Sequence, residues 1–232
     1  MAWTFHTYAD MTQLAEHVAA ALQSACEAGL ATRGVAVLAL AGGQTPWPVY
    51  QRLARAPLHW ADITVLPTDE RCVPADAPGS NLHGLGQAFA GATGVRLGSL
   101  TVPSGEPDAS LIHARAWLAL HREPFDAVVL GMGGDGHTAS LFPGATELAS
   151  GFDPLLDACR VDPDPLPPEA PYPRISLTAA RLLRSRTLYL VITGAGKRAV
   201  LDEAIAANDP WRHPVMAVLG APQADVQIHW SP

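Results

Sequence analysis

The sequence predicts a three-layer α/β fold, a mostly parallel sheet with helices on both faces. Two observations carry that expectation. Short runs rich in Val, Ile and Leu lack polar alternation, as strands covered on both faces do, and between them apolar residues recur at helical spacing. Alternating strands and helices of this kind assemble as right-handed parallel units. A chain of 232 residues suits one Rossmann-like domain spanning 1–232.

Leu14, Val18, Ala21 and Leu22 mark the first amphipathic helix. The first buried strand is VAVLAL (35–40), followed by AGGQTP. There Gly42 and Gly43 permit a tight turn, Thr45 suits an N-cap and Pro46 a first helical position. Free amides at such a helix start form an anion site, although a plain strand-to-helix turn uses the same residues. A second strand, ITVLPTD (63–69), runs into Asp69, Glu70 and Arg71. Alternation along an extended segment turns Asp69 and Arg71 to one side and Glu70 to the other; a shared cleft and a rim ion pair both fit. Ser80 reads as a further N-cap, and Leu111, Ile112, Arg115 and Leu118 as a helix.

The strand DAVVLG (126–131) opens into GMGGDGH, and TLYLVITG (187–194) into GAGK. Lys197 then falls on the first turn of a helix continued by Val200, Leu201 and Ile205. It is either a point charge for phosphate or a solvated surface lysine; a Walker A loop is excluded because Val191 stands where its first glycine belongs. The proline-dense segment 162–173, DPDPLPPEAPYP, reads as an extended surface loop, since a strand and helix of the earlier pattern follow it.

An apolar fraction of 48% and a charged fraction of 16% describe a chain that folds. Its formal charge of −7, without a basic cluster, argues against a nucleic-acid surface. The longest apolar stretch before the first glycines, VAVLALA, is too short to span a bilayer, so no membrane partner is expected. Cys26, Cys72 and Cys159 follow no disulfide or zinc spacing, and WTFHTYADMTQLAEHV lacks the basic and apolar regions of a secretory signal. The expected compartment is the cytoplasm.

In open α/β sheets ligands gather beyond the C-terminal strand ends. One such end, Gly131-Met-Gly133-Gly-Asp-Gly136, matches G-x-G-x-x-G, but the other parts of a dinucleotide site are missing. Asp153, the candidate ribose acid, has no strand before it, and Pro143-Gly144 stops any long helix. Asp135 would also bring negative charge to a pyrophosphate. What remains is His137 beside a carboxylate. An imidazole exchanges protons near neutral pH, and a neighbouring Asp135 orients it and stabilises its charged form. No second histidine stands at the helical spacing of a zinc pair.

GMGGDGHTASLFPG, with PTDERCVPADAPGSN, AGGQTP, PRISLT and TGAGK in that order, resembles the 6-phosphogluconolactonases over nearly the whole chain. The resemblance implies hydrolysis of 6-phospho-D-glucono-1,5-lactone without metal or organic cofactor, by a monomer or homodimer whose ligand is a phosphorylated sugar lactone. It puts the general base at His137, supported by Asp135, with Asp69 and Arg71 of the DER motif in the catalytic group. Arg71 or the amides of 131–136 would meet the oxyanion. Gly42, Gly43, Thr45, Arg71, Lys197 and Arg174 would hold the phosphate. The related glucosamine-6-phosphate deaminases carry a glutamate where this chain has Phe142, so an amine-releasing mechanism lacks its carboxylate. A sugar-phosphate-sensing regulator would need a DNA-binding module, and no basic helix-turn-helix precedes the domain.

Overall fold

The computed structural model describes residues 3–162, 171–222 and 225–232. Strand β1 (Trp3–Thr7) leads into α1 (Met11–Arg33), which starts where the Asp10 carboxylate accepts from the Gln13 amide at 2.9 Å and stops at Gly34, φ 73°. The helix buries Leu14, Val18 and Leu22, each worth about 1.5–3 kcal/mol. Ala21 is only partly covered; Ala15 and Ala19 take the inner face instead. Then come β2 (Ala36–Leu40), α2 (Trp47–Leu53), β3 (Ile63–Pro67), β4 (Asp69–Arg71), α3 (Asn81–Ala88) and β5 (Arg96–Leu97). The middle of the chain supplies α4 (Pro107–Leu120), β6 (Ala127–Leu130), α5 (Leu148–Phe152), β7 (Ala158–Val161), β8 (Arg174–Leu177) and α6 (Ala179–Leu183). It ends with β9 (Leu188–Thr193), α7 (Ala195–Ala207), α8 (Met216–Leu219) and β10 (Val226–Ser231).

Seven strands form one parallel sheet in the order β1-β10-β9-β6-β2-β3-β5. Each face carries a core. Leu38 and Leu40 of β2 pack in one with Leu14, Tyr50 and Phe89, whereas Ala39 between them packs in the other with Leu66, Leu118, Val128 and Leu201. Both sides of a strand are thus apolar, which is why these runs show no polar alternation. From β2 the chain steps through β3 to β5, then crosses to the other side for β6 and β9. The strand order therefore reverses between β2 and β6, the kind of position where such sheets bind ligands.

Two departures from the sequence expectation matter. On α4 the buried face is Ser110, Ala114 and Leu118; Ile112 is 71% exposed, because it lies about 200° round the helix from Ser110. A second, antiparallel sheet, β4-β8-β7, was not anticipated. The proline-dense segment connects β7 to β8, and its residues 163–170 lie outside the described residues. Among the described residues no helix is long and apolar enough to cross a membrane.

Candidate active site

A cleft of about 310 Å³ opens beyond the C-terminal ends of β2 and β6. Gly42, Gly43 and Thr45 of the loop after β2 line one wall. Gly43 needs its φ of 89°, a region that costs glycine little. A Cβ at Gly42 would stand 2.0 Å from Asn81 Oδ1, so glycine here makes room for an amide whose Nδ2 donates to the Asp69 carbonyl at 2.6 Å. Thr45 is not the N-cap expected of it. Pro46 holds that position without a side-chain hydrogen bond, and Pro48 lies in the first turn; two prolines supply the preset φ that starts α2.

Strand β4 presents the DER residues as alternation predicts. Asp69 and Arg71 line the cleft, while Glu70 turns into the protein and accepts from the amides of Arg71, Asn81 and Leu82, each at 2.7 Å, and from Ser80 Oγ at 3.0 Å. Burial pushes its carboxyl up, against the pull of those bonds; its task is to satisfy the first amides of α3. Ser80 is the N-cap, accepting from the His83 amide. Asp69 accepts from Ser140 Oγ at 2.5 Å and Thr68 Oγ1 at 3.2 Å.

Pairing of β4 with β8 sets Arg71 directly opposite Arg174, and both line the cleft. Like charges so placed destabilise a strand pair unless an anion lies between them. Arg71 donates from Nη1 to the Gly79 carbonyl at 2.7 Å, and its buried Nε has no partner among the described residues. The Arg174 guanidinium lies over the Phe142 ring, 4.8 Å from its centroid. Lys197 completes the cationic set from the first turn of α7. No salt bridge joins it to a carboxylate among the described residues, and desolvation lowers its ammonium pKa from the ordinary lysine value. A bound anion would relieve that penalty.

Opposite stands the loop after β6. The Gly133 amide donates to the His137 carbonyl at 2.9 Å and the Gly136 amide to the Gly133 carbonyl at 3.1 Å, closing the turn at Gly136, φ 80°. Asp135 Oδ1 meets both the His137 amide at 3.0 Å and ring Nδ1 at 2.6 Å. Desolvation raises the Asp135 pKa, but the hydrogen bonds and charge of His137 outweigh it and hold the carboxyl below the usual aspartate value. His137 lines the cleft, whereas Asp135 does not and reaches it only through the imidazole. Phe142, which also lines the cleft, packs against that ring, centroids 4.5 Å apart.

The cleft thus gathers Gly42, Gly43, Thr45, Asp69, Arg71, His137, Arg174 and Lys197, all expected from sequence. It adds Asn81, whose only sequence signal was membership of the GSN run, and Phe142, singled out in the sequence only as the place of the deaminases' glutamate. Burial pushes the Cys26 and Cys159 thiols up to about 12 and Cys72 to about 11, and none of the three lines the cleft. Among the described residues no group of three or more His, Cys, Asp and Glu side chains is arranged to hold a metal.

Fold and cleft define an α/β protein whose strand ends set a cationic, amide-rich wall against an imidazole–carboxylate pair. The chain belongs to the family described as glucosamine-6-phosphate isomerases/6-phosphogluconolactonase, whose sequence model matches residues 9–230. It is 35% identical over 234 residues to the 6-phosphogluconolactonase of Rhizobium meliloti, covering 100% of both chains. With that of Pseudomonas putida it shares 37% over 229 residues, 98% of this chain and 92% of the other. The crystal structure of a 6-phosphogluconolactonase from Shewanella baltica superposes with a TM-score of 0.92 at 31% identity, covering 99% of this chain and 97% of that one.

Proposed function

We propose that the protein hydrolyses 6-phospho-D-glucono-1,5-lactone to 6-phospho-D-gluconate, a step of the oxidative pentose phosphate pathway. The observation that carries this reading is His137: its Nδ1 is tied to Asp135 at 2.6 Å, and its ring faces a cleft shared with Lys197 and two arginines. With Asp135 accepting at Nδ1, the ring proton belongs there and Nε2 keeps the lone pair. Nε2 takes a proton from water as the oxygen adds to lactone C1. The tetrahedral oxyanion meets Arg71 or amides of the 131–136 loop. The bond from C1 to the ring oxygen then breaks, and the imidazolium returns its proton to that oxygen, leaving the open-chain acid.

The phosphate is assigned to the amides of Gly42, Gly43 and Thr45 with Lys197, Arg71 and Arg174, a set that lets an acidic protein hold an anionic ligand. Asp69, a carboxylate held by Ser140 and Thr68, is assigned to accept from a sugar hydroxyl. The free thiols support a cytoplasmic location. Purified protein should release 6-phosphogluconate faster than the lactone opens spontaneously, followed by coupling to 6-phosphogluconate dehydrogenase. Rates equal to the enzyme-free control would refute the assignment.

A further inference from the structure

His213 is buried, with 8% of its side chain exposed, and neither ring nitrogen has a hydrogen-bond partner among the described residues. A leucine or phenylalanine would fill the same space without stranding two polar atoms, so the imidazole calls for a reason. Its surroundings supply one. Nδ1 stands 2.7 Å from where a Cβ on Gly136 would lie, hence directly against the glycine between Asp135 and His137. Two residues on, the Val215 amide donates to the Gly136 carbonyl at 3.0 Å. On the other side, Nε2 lies 3.7 Å from Glu203 Oε1, a carboxylate of α7 that also binds the Arg212 guanidinium. Lys197 belongs to the same helix.

The strap 208–216 therefore contacts two elements that each contribute a residue to the cleft. It grips the loop that carries His137 through Gly136, and the helix that carries Lys197 through Glu203. We infer that His213 is a positioning residue linking the two: set between Glu203, 3.7 Å from Nε2, and Gly136, against which Nδ1 packs, its imidazole braces the loop, so that occupancy of the anion wall bears on the orientation of His137. The inference rests on the proposed lactonase reading for its kinetic arm and on geometry alone for its spectroscopic arm.

The test compares wild type, His213→Phe and His213→Ala. His213→Phe keeps the bulk of the ring and removes its nitrogens. The expected result is a fall in kcat of about 10-fold in His213→Phe with KM within about 2-fold, because the phosphate-binding groups are untouched. In parallel, side-chain NMR of labelled histidines follows His137 as inorganic phosphate is added. Its signals should move in both proteins, since phosphate enters the same cleft, but by less than half as much in His213→Phe, although calorimetry shows phosphate still binding. Should neither His213 variant fold, Glu203→Gln, at an exposed position, carries the same two readouts. A His213→Phe protein with wild-type kcat and an intact His137 response would overturn the link, as would a raised KM at unchanged kcat. If wild type shows no lactonase activity the functional reading fails, and the NMR arm decides the link on its own.

Discussion

The glycine loops after β2 and β6 leave adjacent strands of one sheet, yet one runs into a helix and the other does not. Between Leu40 and Trp47 the first loop holds no charged residue; its polar groups are backbone amides and the neutral side chains of Gln44 and Thr45, and α2 follows at once. The second bears Asp135 and His137 and reaches no helix until Leu148. An anion can be held by backbone amides fixed by the fold, so that loop needs only glycine and a helix start. A proton carrier has to be a side chain, and it is fixed by local bonds that a helix would compete for. Gly133, Asp135 and Gly136 supply those bonds within a few residues of His137.

Breaking the second loop should cost far more turnover than breaking the first. Replacing His137 by Ala removes the base and should lower kcat by about 10²–10⁴-fold, while calorimetry still detects phosphate. Gly133→Ala comes next, since its Cβ would fall 2.1 Å from His137 Nδ1. A displaced ring costs about 10²-fold, again in kcat. The matching change in the other loop, Gly42→Ala, drives a Cβ into Asn81. Its effect should appear in KM, at about 10-fold or about 1.4 kcal/mol. Steady-state kinetics of the two alanine variants would show a crossed pattern, and a kcat defect in both would mean that the loops do not divide the work. Lys197→Met should raise KM by about 3-fold, a smaller loss because this half-exposed cation is screened by water.

How far the sequence disclosed this arrangement follows from distance along the chain. β2, β3, β6 and β9 were legible because each is apolar on both faces. β1 and β10 were not: His6, Gln227 and His229 break their apolar runs, although β10 is paired on both sides. The second sheet escaped notice because β4 has three residues and pairs with a strand roughly a hundred positions away, a contact no local pattern reports. The site divides in the same way. His137 and Asp135 are two residues apart and could be read together, as could Asp69 with Arg71. Arg71 facing Arg174, Phe142 between His137 and Arg174, and His213 behind Gly136 arise only when distant segments meet. The Thr45 cap failed for a nearer reason, since Pro46 already stiffens the chain there and no side-chain cap forms.

The smallest effect expected is electrostatic, and it bears on the second loop alone. Asp135 has a pKa below the ordinary aspartate value of 3.8, so it stabilises the fold in its charged form. By linkage that contribution is fully present above the unfolded-state value and disappears as pH falls through the lower folded-state value. Asp135→Asn should therefore be less stable than wild type at pH 7 and pH 5, and the gap should close as pH drops below about 4. The difference should be modest because the carboxylate is 48% exposed and its pair with His137 is open to water. Urea midpoints at pH 7, 5 and 3 measure it directly. A gap that stays constant to pH 3 would mean that Asp135 supports His137 through shape rather than charge, and the two glycine loops would then differ less in their electrostatics than the bonds around His137 imply.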